Sequence, residues 1–131
     1  MPILRHRLAT LLMPLALCLG LVAAGFGHRG FTTLPDRASA EQLAARLLEK
    51  QLAACVQISG CTSWYRWLGA IEQGEEQVCT IKSRRDLFPA LCQIIRANHP
   101  YQVPEILASP VVDGGGGYLD WLGRELLPPK E

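Results

Sequence analysis

The chain has 131 residues, the usual length of one domain, which argues against repeat arrays and multidomain enzymes. Apolar residues make up 49% and charged residues 19% of the chain, too hydrophobic a composition for intrinsic disorder. Thirteen basic residues against twelve acidic ones give a formal net charge of +1, without long runs of one sign. No nucleic-acid partner is expected, because phosphate binding relies on clustered positive charge.

The first 24 residues have the layout of a leader. Arg5 and Arg7 precede an uncharged apolar run over residues 8–24 that ends in small residues. This layout predicts a signal peptide or signal anchor over residues 1–24. The protein is then expected in the secretory pathway or at a membrane, which it contacts only through the leader. A buried strand in this stretch and a cytoplasmic location are the alternatives.

A first strand is predicted to end at Leu34. It is expected to be weak, because Gly27 and Gly30 lie within it and no β-branched residue precedes Thr32. Either this strand is frayed or part of the leader supplies it, in which case the prediction of a signal peptide fails.

The rest of the chain alternates between helical and extended patterns. Apolar residues at helical spacing predict three helices, the first capped by Asp36 or Ser39, the second opening at Arg85 and the third beginning at Tyr118 after a flexible glycine loop. Extended patterns predict a hairpin over residues 55–81, with an irregularity at Gly74, and a short strand over residues 106–112.

The predicted element order is βαββαβα. Two amphipathic helices in a split βαβ arrangement bury their apolar faces when both lie on one face of an antiparallel sheet. The sequence therefore predicts an α+β fold, a ferredoxin-like (βαββαβ) sandwich with an extra C-terminal helix, over residues 31–127.

The cysteines do not form a zinc-site pattern. After Cys18 in the leader, Cys55, Cys61, Cys79 and Cys92 follow, without a C-x-x-C pair. Two disulfides are possible in an exported chain. Apolar neighbours instead favour Cys55, Cys79 and Cys92 as small buried residues, while Cys61 stays open.

Five blocks in order resemble the family of the divalent-cation tolerance protein CutA. They are LAACV at 52–56, TSWYRWLG at 62–69, IKS at 81–83, HPYQVPE at 99–105 and YL-x-WL at 118–122. The resemblance implies a ferredoxin-like subunit, a compact homotrimer, and association with copper and other divalent metals. It also points to His99 and Glu105, in the fourth block, as metal ligands.

The metal expected at His99 and Glu105 is Cu(II) or another divalent cation, bound weakly, because two ligands do not make a tight site. Some relatives carry a cysteine where this chain has Thr32, so a soft ligand for Cu(I) is missing here. The alternative for His99 is a role at the C-terminus of the second helix, where an imidazolium faces the carbonyl ends favourably.

Trp64 and Trp67 favour packing at a subunit interface over a base-stacking platform, since Arg66 is the sole charge among them. The residues show no arrangement typical of an activated nucleophile, and no enzymatic activity is predicted. The sequence thus predicts a trimeric copper or divalent-metal binding protein. The alternative is a non-enzymatic structural or adaptor trimer of the secretory pathway or membrane surface that binds another protein.

Overall fold

The structure, a computed structural model, describes residues 26–130, so the predicted leader lies outside the described residues. The elements in chain order are β1 (Phe26–Leu34), α1 (Arg37–Glu49), β2 (Cys55–Trp67), β3 (Ala70–Arg84), a 3-10 turn (Arg85–Leu87), α2 (Phe88–Asn98), β4 (Leu107–Pro110) and α3 (Gly116–Glu125). Among these helices, none has the length and apolar character needed to cross a bilayer.

The four strands form one antiparallel sheet in the order β2-β3-β1-β4. This confirms the predicted α+β, ferredoxin-like class with an added C-terminal helix. β2 and β3 are joined by a two-residue turn, in which Leu68 and Gly69 have positive φ angles of 48° and 81°. Two consecutive positive φ values match the twist of an antiparallel hairpin. Pro110 ends β4, which is an edge strand as the proline suggests.

β1 is longer than the sequence suggests. It begins at Phe26, ahead of the predicted domain start at residue 31, and it is a central strand with β3 on one side and β4 on the other. Gly27, at φ +85°, lies at a register shift where a Cβ atom would approach Val111 to 2.7 Å. Hydrogen bonding along both edges offsets the poor strand propensity of the glycines.

One face of the sheet packs against α1 and α2. The residues of this core are almost completely buried and come from both strands and helices: Leu34, Leu43, Leu47, Cys79, Ile81, Leu91 and Ile95. Cys79 is therefore a buried core residue, as predicted. Cys55, Cys61 and Cys92 are partly buried, and all four described cysteines are free thiols.

The helix ends follow from local chemistry. Asp36 caps α1, since its Oδ1 accepts a hydrogen bond of 2.7 Å from the Ser39 amide. Pro89 lies in the first turn of α2, where a missing amide hydrogen costs nothing. α3 begins at Gly116, inside the predicted glycine loop, because the first helical amides need no partner within the helix.

The hairpin extends beyond the rest of the sheet. β1 pairs with β3 only as far as Leu34, opposite Gln77, whereas β2 and β3 stay paired up to Trp67 and Ala70. Residues 61–76, here called the hairpin arm, thus form a two-stranded ribbon without a third strand. Gly74 pairs with Ser63 in regular register, so the irregularity predicted there is absent from this hairpin.

Candidate functional site

His99 lies at the point where α2 ends. It adopts an extended backbone (φ −99°, ψ 133°) that terminates the helix. Its ring Nε2 donates to the carbonyl oxygen of Thr33 on β1 at 2.8 Å, and its Nδ1 accepts from the Tyr101 amide at 3.1 Å. A carbonyl only accepts and an amide only donates, so these contacts select the neutral ring with its proton on Nε2. Both ring nitrogens are therefore engaged.

Tyr101 extends this contact to the hairpin arm. Its hydroxyl donates to Glu76 Oε2 at 3.0 Å, and its ring lies 5.0 Å from the His99 ring between centroids. Burial, followed by the hydrogen bond to Glu76, raises the pKa of Tyr101 to about 12. The negative charges of ionised Tyr65 and Asp36 act on the pKa of Tyr101 in the same direction. We call His99, Tyr101 and Glu76 the His99 cluster.

The His99 cluster joins three parts of the fold. It links the C-terminal end of α2 to β1 through Thr33 and to the arm through Glu76. The sequence singles out His99 but gives no sign of Glu76, which resembles any exposed hairpin charge. The cluster depends on a contact between residues 25 positions apart, which the local pattern cannot reveal.

Glu105 is exposed at the end of the same segment. Within residues 26–130, no three His, Cys, Asp or Glu side chains are arranged so that they could hold a metal ion together. His99 and Glu105 are therefore not part of a group of three or more such side chains within the described residues.

The comparisons with known proteins identify the family. The family model described as "CutA1 divalent ion tolerance protein" matches residues 30–125. This chain belongs to the CutA1 family. The divalent-cation tolerance protein CutA of Yersinia pestis (strain Pestoides F) is 49% identical over 96 residues, covering 72% of this chain and 81% of the relative.

Solved CutA structures share the fold. The divalent cation tolerance protein (Cut A1) of Thermus thermophilus has a TM-score of 0.74 and 40% identity, covering 76% of this chain and 98% of that one. The periplasmic divalent cation tolerance protein CutA of Archaeoglobus fulgidus has a TM-score of 0.75 and 36% identity, covering 76% and 97%.

Thr32 is not a surface residue in this CutA1 chain. It is completely buried on the helix-facing side of β1, directly opposite Cys79 on β3. Its hydroxyl oxygen has no hydrogen-bond partner among the described residues. The contact between β1 and the His99 cluster is made by the carbonyl oxygen of the next residue, Thr33, and not by the side chain of Thr32.

The hairpin arm of this CutA1 chain carries large exposed apolar side chains. Trp64 and Ile71 are 68% and 69% exposed, Leu68 at the turn is 90% exposed, and Trp67 is also exposed. A two-stranded ribbon is marginally stable in water by itself, and exposed aromatic residues of this size are typical of interaction surfaces. The arm is therefore the part of the described subunit most suited to contact another chain.

Proposed function

We propose that this chain is a homotrimeric protein that binds Cu(II) or another divalent cation through His99 and Glu105, near a subunit junction, and acts in the response to metal ions. Membership of a family described by divalent ion tolerance supports the metal. The observation that supports the location is the His99 cluster, which holds His99 and Tyr101, at the start of the segment that ends at Glu105, against β1 and the base of the hairpin arm.

The donor chemistry fits a weak Cu(II) ligand pair. Imidazole and carboxylate suit Cu(II), whereas Cu(I) selects sulfur. In the neutral tautomer of His99, the lone pair that could coordinate a metal is on Nδ1. This lone pair already accepts the hydrogen bond from the Tyr101 amide at 3.1 Å. A cation at Nδ1 would have to replace that hydrogen bond, which lowers the net gain on binding. We therefore expect weak and reversible binding, completed by donors from a neighbouring subunit or by water.

The exposed hairpin arm supports the trimer. Trp64 and Trp67 leave apolar surface that a monomer rarely exposes, and a neighbouring copy would cover it. Export through the predicted leader is part of the proposal, supported by the Archaeoglobus relative, which is described as periplasmic. The proposal includes no enzymatic activity and no nucleic-acid partner.

The second candidate is a structural or adaptor trimer that binds another protein. Two observations favour it over a metal-binding role. Both ring nitrogens of His99 already make hydrogen bonds within the subunit, which suits a structural residue. The arm also presents more apolar surface than a metal-binding function by itself requires.

Copper titration separates the two candidates. We expect His99→Ala and Glu105→Gln each to weaken Cu(II) binding by at least about tenfold, the loss typical of disturbing a metal site. His28→Ala on β1 and Glu125→Gln on α3 are matched controls and should leave the affinity unchanged. Binding should also weaken on acidification, since only an unprotonated imidazole coordinates.

A structural role of His99 requires its own control. Tyr101→Phe removes the bond to Glu76 but keeps both donors, so it should retain copper binding if His99 is a ligand. Unchanged copper affinity in both His99→Ala and Glu105→Gln would contradict the metal proposal at this site. Cys61 on the arm would then be the next residue to substitute, and the adaptor trimer would be the better account.

A further inference from the structure

The C-terminal end of α3 is fastened to the sheet by a buried arginine. Arg84, at the end of β3, is 1% exposed, and its Nη2 donates to the Leu127 carbonyl oxygen at 2.7 Å. Asp86 holds the same guanidinium through two hydrogen bonds, from Nε at 2.5 Å and from Nη2 at 2.9 Å. The Leu127 amide donates in turn to the Gln51 carbonyl oxygen at 3.0 Å. We call residues 116–127 the C-terminal strap.

The N-terminal end of the strap is held much less firmly. Gly115 caps α3 and has no side chain with which to bond the free amides of the first turn. A Cβ atom added at Gly115, Gly116 or Gly117 would meet nothing within 4 Å, so this stretch is not packed against the rest of the fold. A glycine-rich connection adopts many backbone conformations and suits a hinge.

Leu122 and Leu126 of the strap belong to the same buried core as Leu47, whereas its first turn reaches the other face of the sheet. Strand alternation puts Lys82 on the other face from its core-facing neighbours Ile81 and Ser83. The Lys82 ammonium lies 5.8 Å from the centre of the Tyr118 ring, and Cys55 pairs with Lys82 across β2 and β3. Burial, and secondly the nearby Cys55 thiol, raises the pKa of Tyr118. Tyr118 therefore lies beside Lys82, whose cross-strand partner on the same face of the sheet is Cys55.

We propose that the C-terminal strap is a latch, which swings away from the sheet as one unit when the contact between Arg84 and Leu127 opens, uncovering Cys55 and Lys82 while the rest of the fold stays intact. In the closed state Leu122 and Leu126 are buried within the main hydrophobic core and opening would expose them, so the open state is a minor one. Segments with one firm attachment and a flexible hinge are those expected to open below the free energy of global unfolding.

Asp86 controls the latch because it orients and neutralises Arg84. Without its carboxylate, the guanidinium loses two charge-assisted hydrogen bonds and is drawn toward solvent, away from Leu127. Two cysteines on opposite faces of the sheet allow the opening to be measured. Cys55 is partly buried and pairs with Lys82 next to Tyr118, whereas Cys79 is completely buried on the opposite, helix-covered face of the same sheet.

Alkylation of the full chain by iodoacetamide, followed for each cysteine by peptide mass spectrometry, tests the latch. In Asp86→Asn we expect Cys55 to react roughly tenfold faster, the effect of losing a hydrogen bond to a charged group, with the Cys79 rate unchanged. Glu125→Gln, an exposed position on the strap, is the matched control and should behave as the wild type. An unchanged Cys55 rate in Asp86→Asn, or equal acceleration of Cys55 and Cys79, would overturn the proposal.

Hydrogen exchange of the wild-type chain in low urea tests the same point without substitution. Amides of residues 119–125 should exchange with a smaller urea dependence than those of Cys79 and Ile81 on β3, as expected for a local opening. Equal exchange free energies and urea dependences in the two groups would show that the strap opens only when the whole subunit unfolds, and would overturn the latch.

Discussion

The inner half of the β2–β3 hairpin and the hairpin arm are made of the same two strands but have opposite surroundings. In the inner half, Cys79 and Ile81 are completely buried beneath α1 and α2, with β1 as the third strand. In the arm, Trp64 and Ile71 are each more than two-thirds exposed and no third strand follows. The inner half is stabilised within the subunit, whereas the arm needs a surface that the subunit does not provide.

This contrast separates the residues that stabilise the fold from the residues that are available for contacts with other molecules. Burial of the inner half accounts for the subunit, and its residues are determined by packing. The arm adds apolar area without adding to that core, and its tryptophans and isoleucine are the side chains that the proposed trimer would cover. The His99 cluster lies at the boundary, since Glu76 belongs to the base of the arm and Thr33 to the inner sheet.

Truncation in the core should have the largest effect on stability. Leu47→Ala removes a completely buried side chain of α1, and we expect a loss of about 2–5 kcal/mol in the free energy of unfolding. Ile71→Ala on the arm should change the free energy of unfolding by less than about 0.5 kcal/mol when both variants are measured in urea in a monomeric background, Trp64→Ser with Trp67→Ser. Equal losses in the two variants would remove the distinction between the two regions.

Polar substitution of the arm should abolish assembly without unfolding the subunit. In the double variant Trp64→Ser, Trp67→Ser we expect monomers by light scattering, with the far-ultraviolet circular dichroism unchanged. Arg66→Ser, which changes an exposed charge between them, is the control and should remain trimeric. A trimer that survives the double substitution would place the interface elsewhere.

The pH dependence of the free energy of unfolding should reveal the contribution of the Arg84–Asp86 pair, which holds the end of the strap. The hydrogen bonds from Arg84 hold the pKa of Asp86 below its ordinary value. A carboxyl whose pKa is lower in the folded state stabilises the fold above the unfolded value, about 3.9, and this stability is lost as the pH falls through the folded value. Between pH 6 and pH 3, the free energy of unfolding measured in urea should thus fall less in Asp86→Asn than in the wild type. Equal losses would contradict this contribution.

The sequence was sufficient for the fold but not for the contacts of the site. Helical and alternating periodicity, the Asp36 cap and Pro89 predict the elements, because these signals are local. β1 was underestimated, since pairing on both edges compensates for Gly27 and Gly30. The bonds from His99 to Thr33 and from Tyr101 to Glu76 join residues 66 and 25 positions apart, and a local pattern does not encode such contacts.

A small stabilising effect is expected at Thr32. Its buried hydroxyl lacks a partner within residues 26–130, so Thr32→Val, which keeps the shape and removes the hydroxyl, should stabilise the fold by about 1 kcal/mol. Thr32→Cys should leave copper affinity unchanged, because this side chain faces Cys79 in the core. Destabilisation of Thr32→Val in urea, or tighter copper binding by Thr32→Cys, would show that position 32 has another role.

Native mass spectrometry of the full chain at micromolar concentration, with and without Cu(II), tests the central claim most directly. We predict a trimer that takes up copper, and a His99→Ala variant that remains trimeric but takes up far less. A monomer as the sole species, or copper uptake that is the same in His99→Ala and the wild type, would contradict the account of a trimeric cation-binding protein built around His99 and Glu105.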